Sequence, residues 1–192
     1  MDDKLENMNQ SQRILRAAFK CISTKGYANV SLRDIAEEAG VVLSQLNYYY
    51  KNKEGLFTEV VKILAEQYLN EIEDSLKNGK SASEKISGLI KYFQVLLSSK
   101  PELFKLLFDL TSMSLWSVSL KELLDNLFNS LTNLIEKYII NNFSNKEKLK
   151  NCSPKTLSRM ILGTLFGTSI QVILANGDEN MLDSLSTLQL LF

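Results

Sequence analysis

No histidine occurs anywhere in the 192 residues. That absence removes His-assisted nucleophilic triads, zinc sets that contain imidazole, and the Glu-x-x-His di-iron arrangement of helical bundles. No other catalytic constellation stands out, so an enzyme is not expected, and neither is a metal or a cofactor. Proline occurs only twice, and Val and Thr never alternate with a period of two, so β-structure is not expected. The two cysteines, Cys21 and Cys152, form no disulfide framework; Cys21 sits among apolar helix positions and reads as a small core residue. There is no uninterrupted apolar run of about 18 residues, so no membrane span is expected. The polar start MDDKLENMNQ lacks the hydrophobic part of a signal peptide, and a cytoplasmic location is expected.

Excess charge is also missing: 22 basic residues balance 22 acidic ones. The balance is uneven along the chain, however. Residues 9–53 hold Arg13, Arg16, Lys20, Lys25, Arg33, Lys51 and Lys53 against Asp34, Glu37 and Glu38. A locally basic segment on a neutral chain hints at a polyanionic partner, although such a run also serves as a solvated face.

The apolar residues recur with period 3.6, which predicts an all-α fold. Ile14, Leu15, Ala18, Phe19 and Ile22 form one stripe of a helix over about 9–25, stopped by Gly26. Ser31 and Asp34 form a capping box for a second helix, with Leu32, Ile35, Ala36 and Ala39 inward and Gly40 at its end. A short helix over about 43–50 follows, then a longer one over about 53–78. Ser81 with Glu84 predicts a capping box for the next helix, and Pro101 opens another. A long helix over about 119–143 leads to a polar loop, SNKEKLKNCS. Ser153-Pro154 starts a helix that Asn176-Gly177 ends, and a last helix is expected over about 179–191.

Two short helices joined at a glycine after a longer one form a helix-turn-helix pattern, in which the second short helix is presented to the partner. On a helical wheel with Leu46 at zero, Val42, Leu43, Tyr49 and Tyr50 lie within about 60° and are expected inward. Ser44, Gln45, Asn47 and Tyr48 then face outward. Such side chains hydrogen-bond base edges and phosphate oxygens. Within NYYYKNK, Tyr50 is expected in the core and Tyr49 at its border, while Tyr48 either reaches a DNA backbone, with Lys53 adding charge, or packs on neighbouring helices.

Residues 13–57 closely resemble the N-terminal domain of TetR-family transcriptional regulators. The resemblance rests on Gly26-Tyr27-Ala28-Asn29-Val30-Ser31, on Ile35 to Val41 (Ile-Ala-x-x-Ala-Gly-Val), on the aromatic end of the third helix, and on Lys53 to Leu56. Two positions depart from the family pattern: Val42 stands where Ser or Thr commonly caps the helix, and Asn47 where a tyrosine is frequent. The resemblance implies an N-terminal three-helix helix-turn-helix DNA-binding domain over 1–52 and a C-terminal helical dimerisation and ligand-binding domain over 53–192. The expected DNA-binding set is Ser31, Arg33, Leu43, Ser44, Gln45, Asn47, Tyr48, Tyr49 and Lys53. The implied function is that of a ligand-responsive, homodimeric repressor on a palindromic double-stranded operator, with a small-molecule effector and no membrane partner. A helical interaction module whose helix-turn-helix no longer binds DNA is the alternative.

In the second domain, Gly163 and Gly167 lie four apart beside Leu162, Phe166 and Ile170, which suggests close approach of another helix. That approach is either internal or across a dimer interface built from Gly163, Phe166, Gly167, Ile170, Leu182, Leu185 and Leu188. Tyr92, Phe108, Met113, Trp116, Phe128 and Phe166 are the candidate effector-pocket residues, with ordinary core as the alternative; Trp116 is singled out because serines and a threonine surround it, a stretch that reads equally as a break between two helices.

Overall fold

The computed structural model describes residues 9–142 and 152–191, and among them all regular structure is helical. The acidic start and most of the expected polar loop lie outside the described residues. Helix α1 (Gln10–Lys25) opens at Asn9, whose side chain accepts from Gln12 N–H at 2.9 Å while Gln12 Oε1 accepts from Asn9 N–H at 3.0 Å. This reciprocal pair satisfies two donors that a helix start otherwise leaves unpaired. Ile14, Ala17, Ala18, Cys21 and Ile22 make its buried face; Leu15 and Phe19 sit half-buried at the border. Burial pushes the Cys21 thiol pKa up, which keeps it protonated and unreactive.

A 3₁₀ turn, Tyr27–Asn29, leads into α2 (Leu32–Ala39). The expected box is present: Ser31 Oγ accepts from Asp34 N–H at 3.2 Å, and Asp34 Oδ2 accepts from Ser31 N–H at 2.7 Å. Gly40 ends α2 with φ 63° and ψ 41°, a left-handed conformation that side chains disfavour. Arg13 Nη2 donates to Ala39 O at 2.8 Å and Gly40 O at 3.0 Å, and so clamps this turn to α1. Then come α3 (Leu43–Tyr49), α4 (Lys53–Asn78), α5 (Ala82–Ser99), α6 (Pro101–Ser114), α7 (Val118–Tyr138), α8 (Pro154–Leu174) and α9 (Glu179–Ser184).

The chain packs as two units. One holds the segment through Ala65 together with Lys105–Leu123; the other holds Glu66–Phe104 with the chain from Leu124 onward. The core of the first unit joins Ile14, Ile22, Ile35, Leu46, Leu56, Phe57, Leu110 and Leu120, all almost fully buried. Tyr27 packs its ring 4.9 Å from that of Phe57.

The second unit is built around Ile86, Leu89 and Ile90 of α5 and Ile161, Leu165 and Val172 of α8. Here the Ser81 box forms by half. Ser81 Oγ accepts from Glu84 N–H at 3.1 Å, but the Glu84 carboxylate takes Lys80 N–H at 2.8 Å instead of that of Ser81. Ser153 caps α8 as expected, accepting from Thr156 N–H at 3.1 Å.

The final segment corrects the sequence reading twice. The expected helix over 179–191 stops being α-helical at Ser184 and continues as 3₁₀ over Leu185–Leu191. A spacing of three between Leu182, Leu185 and Leu188 matches the 3.0-residue turn of a 3₁₀ helix better than a 3.6-residue one. Leu185 and Leu188 are buried, against α5 and α8 of their own chain, and are therefore core residues and not an open dimer face. Gln94 Nε2 fixes the segment by donating to Leu182 O at 3.0 Å and Ser186 Oγ at 3.2 Å.

Helix α8 is the most apolar element. By length and composition it could cross a bilayer, although Gly, Ser and Thr interrupt it and hide it from a search for an unbroken run. Only a third of its apolar window is buried. Met160, Gly163, Thr164 and Leu174 lie on its exposed side, and a Cβ placed on Gly163 or Gly167 would meet nothing within 4 Å. Close packing against the described residues does not account for these glycines.

Candidate nucleic-acid interface

Helix α3 is seven residues long and anchors itself through one buried side chain, Leu46. The inward arc is narrower than the wheel predicts. Val42 is 61% exposed, Tyr49 is 43% exposed, Leu43 is half-buried, and Tyr50 is half-buried where full burial was expected. The reason lies in the neighbour: the α1 segment facing the tyrosines presents Gln10 and Ser11, which are polar. Tyr50 Oη lies 2.9 Å from Ser11 Oγ, and Tyr49 Oη donates to Gln10 Oε1 at 3.3 Å.

Ser44, Gln45, Asn47 and Tyr48 are all exposed, as expected, with Tyr48 at 85%. Tyr48 and Tyr49 meet edge to face, their centroids 5.4 Å apart at 87°. Gln10, Ser44, Gln45, Tyr48 and Tyr49 line one open recess of about 330 Å³. The sequence reading missed Gln10. It stands 34 residues before Ser44, and only the α1–α3 arrangement brings it to the face.

Valine has no acceptor, so Val42 leaves the start of α3 without a side-chain cap. Two substitutes appear. Gln45 N–H bonds Val42 O at 3.0 Å in a tight 3₁₀-type turn, and Gln45 Oε1 accepts from Val42 N–H at 3.2 Å. Because Val42 is largely exposed, Val42→Thr adds a cap with little packing lost. We expect it to raise unfolding free energy by about 0.5–1 kcal/mol, read as a higher denaturant midpoint at unchanged slope.

The remaining sequence-predicted residues divide. Arg33 is exposed on α2, on the same helix that Ser31 caps. Ser31 is engaged with Asp34, whose carboxyl is held below its usual range by the Ser31 hydroxyl and N–H. Lys53 does not extend freely: its Nζ donates to Tyr27 O and Val30 O, both at 2.8 Å, and lies 4.1 Å from the Tyr27 ring centroid. It ties the first turn of α4 to the loop before α2, with one N–H left over. Asp109 of α6 accepts Tyr27 N–H at 2.8 Å, and Ser117 and Ser119 both donate to Glu54 Oε1 at 2.7 Å. Those hydroxyls hold the Glu54 carboxyl below its ordinary pKa. The helix-turn-helix is thereby bonded to the 105–123 segment through polar pairs that no local sequence signal announces.

The effector-pocket candidates fall in both units. Phe128 and Phe166 pair with centroids 5.5 Å apart in the second unit. Tyr92 of the same unit donates to Glu71 Oε2 at 2.8 Å, and burial, then that carboxylate, pushes its pKa up. Phe108, Met113 and Trp116 belong to the first unit. Trp116 is 89% exposed, which corrects its assignment to a pocket wall. It sits in the turn between α6 and α7, beside exposed Leu115 and Val118, where no helix face covers it.

Residues 14–60 match the sequence model for bacterial regulatory proteins of the tetR family. That segment belongs to the family. A fatty acid metabolism regulator protein of Bacillus subtilis is 23% identical over 154 residues, covering 80% of this chain and 78% of that one. The transcriptional regulator AcrR of Shigella flexneri is 34% identical over 70 residues, 36% of this chain and 32% of its own. Among solved structures, the transcriptional regulator FadR of Bacillus subtilis in complex with stearoyl-CoA superposes with a TM-score of 0.76 at 19% identity, covering 93% and 95% of the two chains. That likeness establishes a shared TetR-family fold.

Proposed function

We propose that the chain is a homodimeric repressor whose residues 1–52 read a palindromic operator and whose residues 53–192 dimerise and receive a small-molecule effector. The observation that carries the reading is the α3 face: Ser44, Gln45, Asn47 and Tyr48 present amide and hydroxyl groups on the exposed side of a helix whose buried anchor is Leu46. One helix-turn-helix covers a few base pairs, so half-sites about 34–36 Å apart call for two copies. The uncovered α8 face, with Met160, Gly163, Gly167 and Leu174, supports that face as the place where the copies meet. Ile170 and Phe166 flank it, half-buried. The protein would act in the cytoplasm, where the operator is.

The effector we propose is a long-chain acyl-CoA thioester. Support comes from the similarity over most of the chain to a fatty acid metabolism regulator and to FadR, together with the apolar Phe128–Phe166 pair. Effector binding would shift the dimer toward a state whose reading heads no longer fit the half-sites. A coupling of about 1–3 kcal/mol gives a few-fold to about a hundred-fold change in affinity. The polar bonds from Asp109 and from Ser117 and Ser119 offer a route by which 105–123 biases the head.

Gel retardation on the palindrome upstream of its own gene tests the reading. A shifted complex that weakens steeply with salt and dissolves on addition of stearoyl-CoA is expected. Replacing both Gln45 and Tyr48 by alanine should weaken operator binding by at least about tenfold, since each good base or phosphate contact contributes about 1–3 kcal/mol, while the lost Gln45 cap bond lowers stability by only about 0.5–2 kcal/mol and leaves the head folded. Retention of full affinity by that double variant favours instead a helical interaction module.

A further inference from the structure

The substitute cap at the start of α3 constrains what the helix can read. Gln45 Oε1 accepts from Val42 N–H at 3.2 Å. A backbone N–H can only donate, so it fixes which end of the amide is oxygen. With the oxygen turned back to the cap, Nε2 is the end that remains for a partner at the recess. The other amide oxygen of the recess, Gln10 Oε1, is turned to the Tyr49 hydroxyl at 3.3 Å.

A glutamine free to turn pairs with adenine by two bonds, accepting from N6 and donating to N7. That pairing needs oxygen and nitrogen side by side against the base edge, and here the oxygen is held elsewhere. The geometry points to Gln45 as a specificity-determining residue that presents donors only. It selects a base edge made of acceptors: guanine, whose O6 and N7 are adjacent, over adenine, and most strongly over cytosine, whose major-groove group is itself a donor. This inference rests on DNA being the partner of α3.

Selection from a DNA library randomised across the half-site, performed with the unaltered chain and with Gln45→Glu, tests it. Glutamate keeps an oxygen for Val42 N–H, so melting should not fall, but it turns a second oxygen outward. The unaltered chain should enrich guanine over adenine by at least about fivefold at one position, and Gln45→Glu should move that position to cytosine on the same strand. Gln45→Met, uncharged and without donors, guards against repulsion between glutamate and the phosphates: preference at that one position should fall to background while the other positions keep theirs. Adenine enriched by the unaltered chain, or a guanine preference that both variants retain, overturns the inference and leaves operator reading standing. No enrichment and no retarded complex with any of the three proteins overturns the functional reading as well.

Discussion

Gly167→Glu is expected to leave a folded monomer that no longer holds its operator. The two halves of this result have opposite signs and come from the same position. Within one chain, a Cβ at Gly167 meets no described atom within 4 Å, so the first side-chain atom of a glutamate is accommodated without a shift. Replacing a mid-helix glycine also removes a backbone entropy cost of about 1 kcal/mol, which should stabilise the isolated subunit. Across the proposed interface the same carboxylate faces a second apolar α8, where an unpaired charge is costly to desolvate. Loss of the dimer converts two tethered contacts with DNA into independent ones, a loss of about 100-fold to 10,000-fold in apparent affinity. Sedimentation and retardation read both effects. The melting temperature of the unaltered protein should rise with protein concentration, and that of the variant should not. A variant that still sediments as a dimer and binds at full strength removes α8 from the interface.

The elements that were legible in the sequence are those whose determinants are local. Ser31 and Asp34 lie three apart and close a box wherever a helix starts; Gly40 ends α2 because few other residues accept its left-handed backbone. The amide-bearing set on α3 was readable because a polar face announces itself by composition. What failed depends on partners distant in sequence. A wheel gives directions but not the width of the contact, and α3 buries Leu46 alone while Val42 and Tyr49 stay exposed. Leucines three apart fit two helical periods, and only packing against α5 and α8 selected the 3₁₀ form that buries Leu185 and Leu188. The serines around Trp116 suit a pocket wall or a break between helices, yet Ser117 and Ser119 serve Glu54 and the indole stays outside, in the break. Lys53, assigned to phosphate from its charge, is held by two carbonyls 23 and 26 residues earlier in the chain.

Phe57→Ala should lower the unfolding free energy by about 3–5 kcal/mol, the range for removing a fully buried aromatic side chain. The side chain is 0% exposed and shares its surroundings with Leu56, equally buried, one residue before it on α4. Its ring is the apolar wall for Tyr27, which is otherwise held by polar bonds: its N–H by Asp109, its carbonyl by Lys53. Those bonds fix the backbone of the turn before α2 but supply no volume, so alanine leaves a cavity that the Tyr27 ring cannot fill while its main chain stays tethered. Against a typical total of about 5–15 kcal/mol, this loss brings the reading head close to unfolding at ambient temperature. Phe57→Leu, which keeps most of the apolar volume, should recover more than half of the deficit. Because only the folded head binds DNA, excess operator should raise the melting temperature of Phe57→Ala by mass action, and more visibly than for the unaltered chain. A denaturation midpoint for Phe57→Ala within about 1 kcal/mol of the unaltered protein would show that the ring does not organise this core, since exposed positions give changes of about that size or less.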